Sequence, residues 1–200
     1  MKLFLTSTGL SNSKIIEEFL KLLNGAPEKT SVLVIAYGQN EIERFYIEEA
    51  KKQVQSLGIN TTSLNMQDDF EIKDLPNFDI IYVCGGNTFS ILNKMRDVKI
   101  DDFIKSEVAR GAIYVGVSAG SIIAGPSIEV AGWGVGGDEN KIGLEDLTGF
   151  SFTDIAVFPH FDIDSQKEEI EEFKKKVNYP VQELTDEQAL VILGSERYII

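Results

Sequence analysis

The segment Gly116-Val117-Ser118-Ala119-Gly120 follows the apolar run Ala112-Ile113-Tyr114-Val115 and precedes the helix-like Ser121-Ile122-Ile123-Ala124. G-x-S-x-G between a strand and a helix suits a serine nucleophile. The turn forces the serine into a strained backbone conformation, and the flanking glycines let neighbouring backbone pass without a Cβ clash. A serine hydroxyl needs a base that is active near neutrality. His160, in Val157-Phe158-Pro159-His160-Phe161, is the only histidine in the chain, so no other residue can supply an imidazole. Ser118 and His160 are the expected nucleophile and general base of an acyl transfer.

Acyl transfer also needs two N–H donors for the developing oxyanion, one from the residue after the nucleophile and one from a separate strand-to-helix loop. Ala119 meets the first requirement. Gly86 meets the second, in Cys84-Gly85-Gly86-Asn87-Thr88 after the run Ile80-Ile81-Tyr82-Val83. On this reading Gly85, Asn87 and Thr88 lie against the substrate. The alternative is that the glycine pair only turns the chain while Asn87 or Thr88 caps the next helix. One cysteine, Cys84, and one histidine argue against a disulfide or a transition-metal centre, and no cofactor is expected.

The elements that must position these residues alternate between strand-length apolar runs and amphipathic stretches, the pattern of a mostly parallel sheet covered by helices. Strands are expected at Leu3–Thr6, Ser31–Ala36, Asn60–Leu64, Ile80–Val83, Ala112–Val117, Ile155–Phe158 and Ala189–Leu193. Helical spacing runs over Ile15–Leu23, Glu41–Leu57, Phe89–Met95, Phe103–Ala109 and Gln166–Val177, with Ser165 and Glu168 as a capping box for the last. The stretch Gly132-Trp133-Gly134-Val135-Gly136-Gly137 reads as a mobile loop. A length of 200 residues with 43% hydrophobic content fits one domain, residues 1–200. The net charge of −13 without a basic patch argues against nucleic-acid and membrane partners. The acidic run from Glu168 to Glu172, followed by Lys174–Lys176, reads as a solvated helix face. With no signal-like or membrane-spanning run, a soluble cytoplasmic protein is expected.

Gly85-Gly86-Asn87-Thr88-Phe89, Arg110-Gly111-Ala112-Ile113-Tyr114-Val115-Gly116, Ser118-Ala119-Gly120 and Pro159-His160-Phe161 together resemble the peptidase E (aspartyl dipeptidase) and cyanophycinase family of serine peptidases. The resemblance implies a three-layer α/β/α flavodoxin-like domain related to class I glutamine amidotransferases. It also implies hydrolysis of short peptides, in many members a homodimer, and Gly86 and Ala119 as oxyanion donors. Two residues are candidates for the acid that orients His160. Asp138 lies between nucleophile and base, where peptidase E places its acid, and Glu187 lies in a segment resembling the one that carries the acid in cyanophycinase-like members. Glu187 is favoured because the apolar run that follows gives it a rigid support. Peptidase E recognises an N-terminal aspartate partly through an arginine after the histidine loop, but residues 161–170 contain none. Lys167 cannot reproduce a bidentate fork, and Asp162 and Asp164 would repel an acidic residue, so strict Asp-X specificity is not expected. The alternative to an active peptidase is a catalytically idle protein that binds a peptide or small molecule in the same pocket.

Overall fold

The computed structural model describes residues 1–38, 41–134 and 136–200. Among these a seven-stranded sheet has the order β3-β2-β4-β5-β1-β8-β9. Its members are β1 (Lys2–Thr6), β2 (Ser31–Ala36), β3 (Asn60–Asn65), β4 (Ile80–Val83), β5 (Ile113–Val117), β8 (Ala189–Leu193) and β9 (Glu196–Ile199). Five strands run parallel, while β8 pairs antiparallel with β1 and β9 antiparallel with β8. A separate parallel pair joins β6 (Ala156–Phe158) to β7 (Val181–Glu183).

Side chains alternate across a strand, and here both faces are apolar. Leu3, Leu5, Leu33, Ile35 and Tyr114 enter one core, and Phe4, Val32, Val34, Ile113 and Val115 enter the other. The helices α1 (Ser13–Lys21) and α2 (Glu41–Ser56) cover the second face, contributing Ile15, Phe19 and Val54. The first face is covered by α3 (Thr88–Asp97), α4 (Ile100–Arg110), α5 (Ala119–Ile123) and α6 (Ile163–Lys176). The result is the three-layer α/β/α arrangement with a mostly parallel sheet.

Local chemistry sets the helix ends. Asn12 and Asn87 cap α1 and α3 by accepting the Ile15 and Ser90 N–H groups, and Gly111 ends α4 at φ 115°. The expected Ser165/Glu168 capping box is replaced. Asp162 in extended backbone caps α6 by accepting the Asp164 N–H, while Ser165 lies inside the first turn and donates its hydroxyl to Asp162. An aspartate three residues upstream reaches the free N–H groups first, so the helix starts earlier than the pattern implies. Val135, within the glycine-rich stretch expected to be mobile, lies outside the described residues. Its neighbours are tied back, with Asp138 N donating to Ala131 O at 2.7 Å and Gly137 N to Gly134 O at 3.3 Å. Among the described residues no helix is long and apolar enough to cross a membrane.

One buried charge locks the edge opposite the site. Glu107 on α4 is 3% exposed, accepts the Phe78 N–H at 2.7 Å and pairs with Arg110, which also donates to Phe78 O at 2.6 Å. Burial works to raise the Glu107 carboxyl, but the Arg110 guanidinium and the Phe78 N–H outweigh it and hold the group below the usual carboxylate range. A depressed folded-state value means stabilisation that is present above the unfolded value, about 4.3, and is lost as pH falls through the folded one. Glu107→Gln is therefore expected to lower stability at neutral pH by about 1–3 kcal/mol. In thermal melts against pH, the gap between wild type and variant should close below about pH 4; a gap that stays constant with pH would contradict this.

Candidate active site

The turn from β5 to α5 is built on close backbone contacts. A Cβ on Gly116 would come within 2.6 Å of Gly120 O, and one on Gly120 would collide with the Val83 carbonyl. Both positions therefore exclude any side chain. Ser118 sits between them at φ 50°, ψ −110°, a region that L-residues rarely occupy and that costs about 1–3 kcal/mol. Anchoring comes from the end of β1. Ser118 N donates to Thr6 O at 2.9 Å, and the fully buried Ser121 hydroxyl lies 2.7 Å from Thr6 O and 2.8 Å from Gly116 O while accepting the Thr6 N–H.

His160 reaches Ser118 from the end of β6. Its backbone is also left-handed, at φ 57°, and its N–H donates to Ser7 Oγ at 3.0 Å. Ser7 in turn donates to Leu184 O, and Phe161 N donates to the same carbonyl, so three segments meet beneath the imidazole. The ring's Nε2 lies 3.0 Å from Ser118 Oγ, and its Nδ1 lies 2.7 Å from Asp186 Oδ1. The imidazole and the Asp186 carboxylate are about half exposed, at 48% and 61%.

The carboxylate at His160 is thus Asp186, and neither Glu187 nor Asp138 fills that place. The reason is strand register. In the β6–β7 pair Phe158 stands opposite Glu183, which carries the chain past His160 at Thr185 and Asp186. Asp186 is fixed there by Thr8 Oγ1, which donates to its carbonyl at 2.7 Å, and by the turn that returns the Gln188 N–H to Thr185 O. Glu187, the next residue, lines a cavity of about 830 Å³ beside His160 and Asp186, together with Lys167 and Glu183. Asp138 instead bonds Thr88: one carboxylate oxygen accepts the Thr88 N–H at 2.7 Å and the Thr88 hydroxyl at 2.6 Å. Sequence reasoning missed Asp186 because it missed β7. The available signal was the pair Asp186-Glu187 itself, since only one of two neighbouring carboxylates can face the ring.

Ser118 and His160 border two cavities. One of about 570 Å³ reaches under α2 and includes Gly85, Gly86 and Ser7. The other, about 110 Å³, lies beneath the glycine-rich segment and includes Thr88, Ile122, Trp133 and Asp138. The larger is within the range that holds small-molecule ligands, and the smaller has room for little more than a side chain. Gly86 adopts φ 138°, which only glycine tolerates readily, and a Cβ on Gly85 would touch Ser118 Cβ at 3.1 Å. Ala119 is the first residue of α5, so its N–H has no carbonyl partner within the helix. Asn87 caps α3, and its Nδ2 donates to Glu139 O. Burial pushes the Cys84 thiol, just after β4, up to about 12, so it carries no thiolate near neutrality.

This arrangement has close relatives. The profile of peptidase family S51 matches residues 3–200. The chain is 30% identical over 202 residues to the uncharacterized peptidase Lmo0363 of Listeria monocytogenes, spanning 97% of this chain and 95% of that protein. It is 29% identical over 166 residues to peptidase E of Salmonella paratyphi A, spanning 80% of this chain and 68% of the relative. A crystal structure of a candidate peptidase E from Listeria monocytogenes EGD-e superposes with a TM-score of 0.79 at 25% identity, covering 100% of this chain and 97% of that one. The resemblance carried by the motifs between Gly85 and His160 thus extends over nearly the whole sequence, and the chain belongs to peptidase family S51.

Proposed function

We propose that this peptidase is a serine hydrolase of short peptides that works through an acyl-enzyme on Ser118. The observation that carries the reading is the chain of contacts from Ser118 Oγ to His160 Nε2 at 3.0 Å and from His160 Nδ1 to Asp186 at 2.7 Å. Neutral His160 takes the hydroxyl proton at Nε2 as Oγ bonds to the scissile carbonyl carbon. The carbonyl electron pair moves onto oxygen, where the Gly86 and Ala119 N–H groups receive the charge. The tetrahedral adduct collapses as His160 returns its proton to the leaving amine. Water enters with His160 again as base, and the acid product leaves with Ser118 regenerated. Asp186 holds the Nδ1–H tautomer and stabilises the imidazolium that forms in both halves. The cleaved bond lies at the end of a short peptide, as expected of an exopeptidase, because the cavities at Ser118 suit a small ligand. Strict preference for an acidic first residue is not expected, because Asp162, Glu183 and Glu187 line the cavity beside His160.

In a dipeptide-hydrolysis assay, Ser118→Ala is expected to lower kcat by about 10⁴-fold or more with the melting temperature unchanged; turnover within tenfold of wild type would sink the reading. The acid is tested by ranking variants. Asp186→Asn should cost up to about 10⁴-fold in kcat with little change in KM, and Glu187→Gln less than about threefold. The reverse ranking would move the acid to Glu187 and leave Asp186 as an ordinary surface carboxylate.

A further inference from the structure

The ring nitrogens of His160 are engaged by Ser118 and Asp186 rather than Asp138, yet Asp138 is bonded more tightly than a loop carboxylate needs to be. One of its oxygens accepts both the backbone N–H and the hydroxyl of Thr88, at 2.7 and 2.6 Å. Thr88 is fully buried and is the first residue of α3, where a negative charge is favoured by the helix dipole and charge-assisted bonds are strong. The residue after it, Glu139, offers its carbonyl to Asn87 Nδ2 at 3.0 Å. Residues 138 and 139 therefore hold both Asn87 and Thr88. Before Asn87 stands Gly86, at φ 138°, which has no Cβ whose sterics would fix its peptide plane. Asp138 is itself tethered to the segment under which the smaller cavity lies, through its N–H to Ala131 O at 2.7 Å.

We propose that Asp138 is a positioning residue for the oxyanion loop: by clamping Thr88, it fixes the plane of the Gly86 N–H. The inference rests on the reading of Ser118 as nucleophile and adds a residue that touches neither substrate nor imidazole. Loosening the clamp leaves substrate binding in place and removes stabilisation that exists only in the transition state.

The test combines steady-state kinetics, inhibition by a peptide aldehyde and thermal melts on Asp138→Ala, Asp138→Asn and Thr88→Val. Asp138→Ala is expected to lower kcat by about 10²–10³-fold, the loss seen when one oxyanion donor is removed, with KM within about threefold. Aldehyde affinity should fall in parallel with kcat/KM. Asp138→Asn, which keeps an acceptor oxygen, should recover most of the activity. Thr88→Val removes only the hydroxyl, so it should cost about five- to tenfold alone and nothing further in the Asp138→Ala background. The acid limb of the pH profile should not move in any variant; a shift would place Asp138 on the imidazole and overturn the proposal. A rise in KM with kcat retained, or additive effects of the two sites, would overturn it as well. Should Asp138→Ala fail to fold, Thr88→Val carries the kinetic test: an about five- to tenfold loss of kcat at unchanged KM is expected, and no loss would overturn the proposal. With Ser118→Ala assayed alongside, an inactive serine variant and an unaffected Asp138→Ala would sink this proposal alone, whereas an active serine variant would sink both.

Discussion

The whole site depends on one steric constraint, the crossing of α5 over the ends of β4 and β5 at backbone distance. Gly120 packs against the Val83 carbonyl and Gly116 against Gly120, and neither contact admits a methyl group. Because the backbones touch, the turn between them has no room to relax, and Ser118 is held at positive φ with its hydroxyl at His160 Nε2. The strain is offset by bonds that reach the end of β1, through the Ser118 N–H and the buried Ser121 hydroxyl to Thr6. Ser7, the next residue, supports His160. The carboxyl ends of β1, β4 and β5 thus act as one platform, as expected for a ligand site in an open α/β sheet.

The approach of His160 and Asp186 follows from a smaller unit. The β6–β7 pair lies outside the main sheet and is joined to it where Ser7 donates to Leu184 O. A shift of one residue in its register would replace Asp186 by a neighbour with a different direction. The two ring contacts also lie in partly solvent-exposed surroundings. The backbone anchors place His160, and the Nδ1 contact to Asp186 orients the ring.

Much of this was legible in the sequence where apolar runs are buried on both faces. The spans Ser31–Ala36, Ile80–Val83 and Ala189–Leu193 coincide with β2, β4 and β8. The strands that the sequence conceals, β7 and β9, are half-buried and exposed, and edge strands held by backbone bonds need no apolar pattern. That omission propagated into the site. Without β7 there was no register, and without a register only Asp138 and Glu187 were weighed, and Asp186 was passed over. Ser118 and His160 could be paired from sequence because each is singular, one by its glycine frame and the other as the lone histidine. The bond from Thr88 to Asp138 was invisible for a different reason: the two residues lie fifty positions apart in sequence.

The central claim is that Ser118 is the activated nucleophile, and covalent capture tests it most directly. Intact-mass and peptide-mapping measurements after treatment with a fluorophosphonate should find a single adduct on Ser118, formed much faster by the wild type than by a protein lacking the His160 imidazole. Absence of any adduct, or an adduct on another residue, would contradict the account.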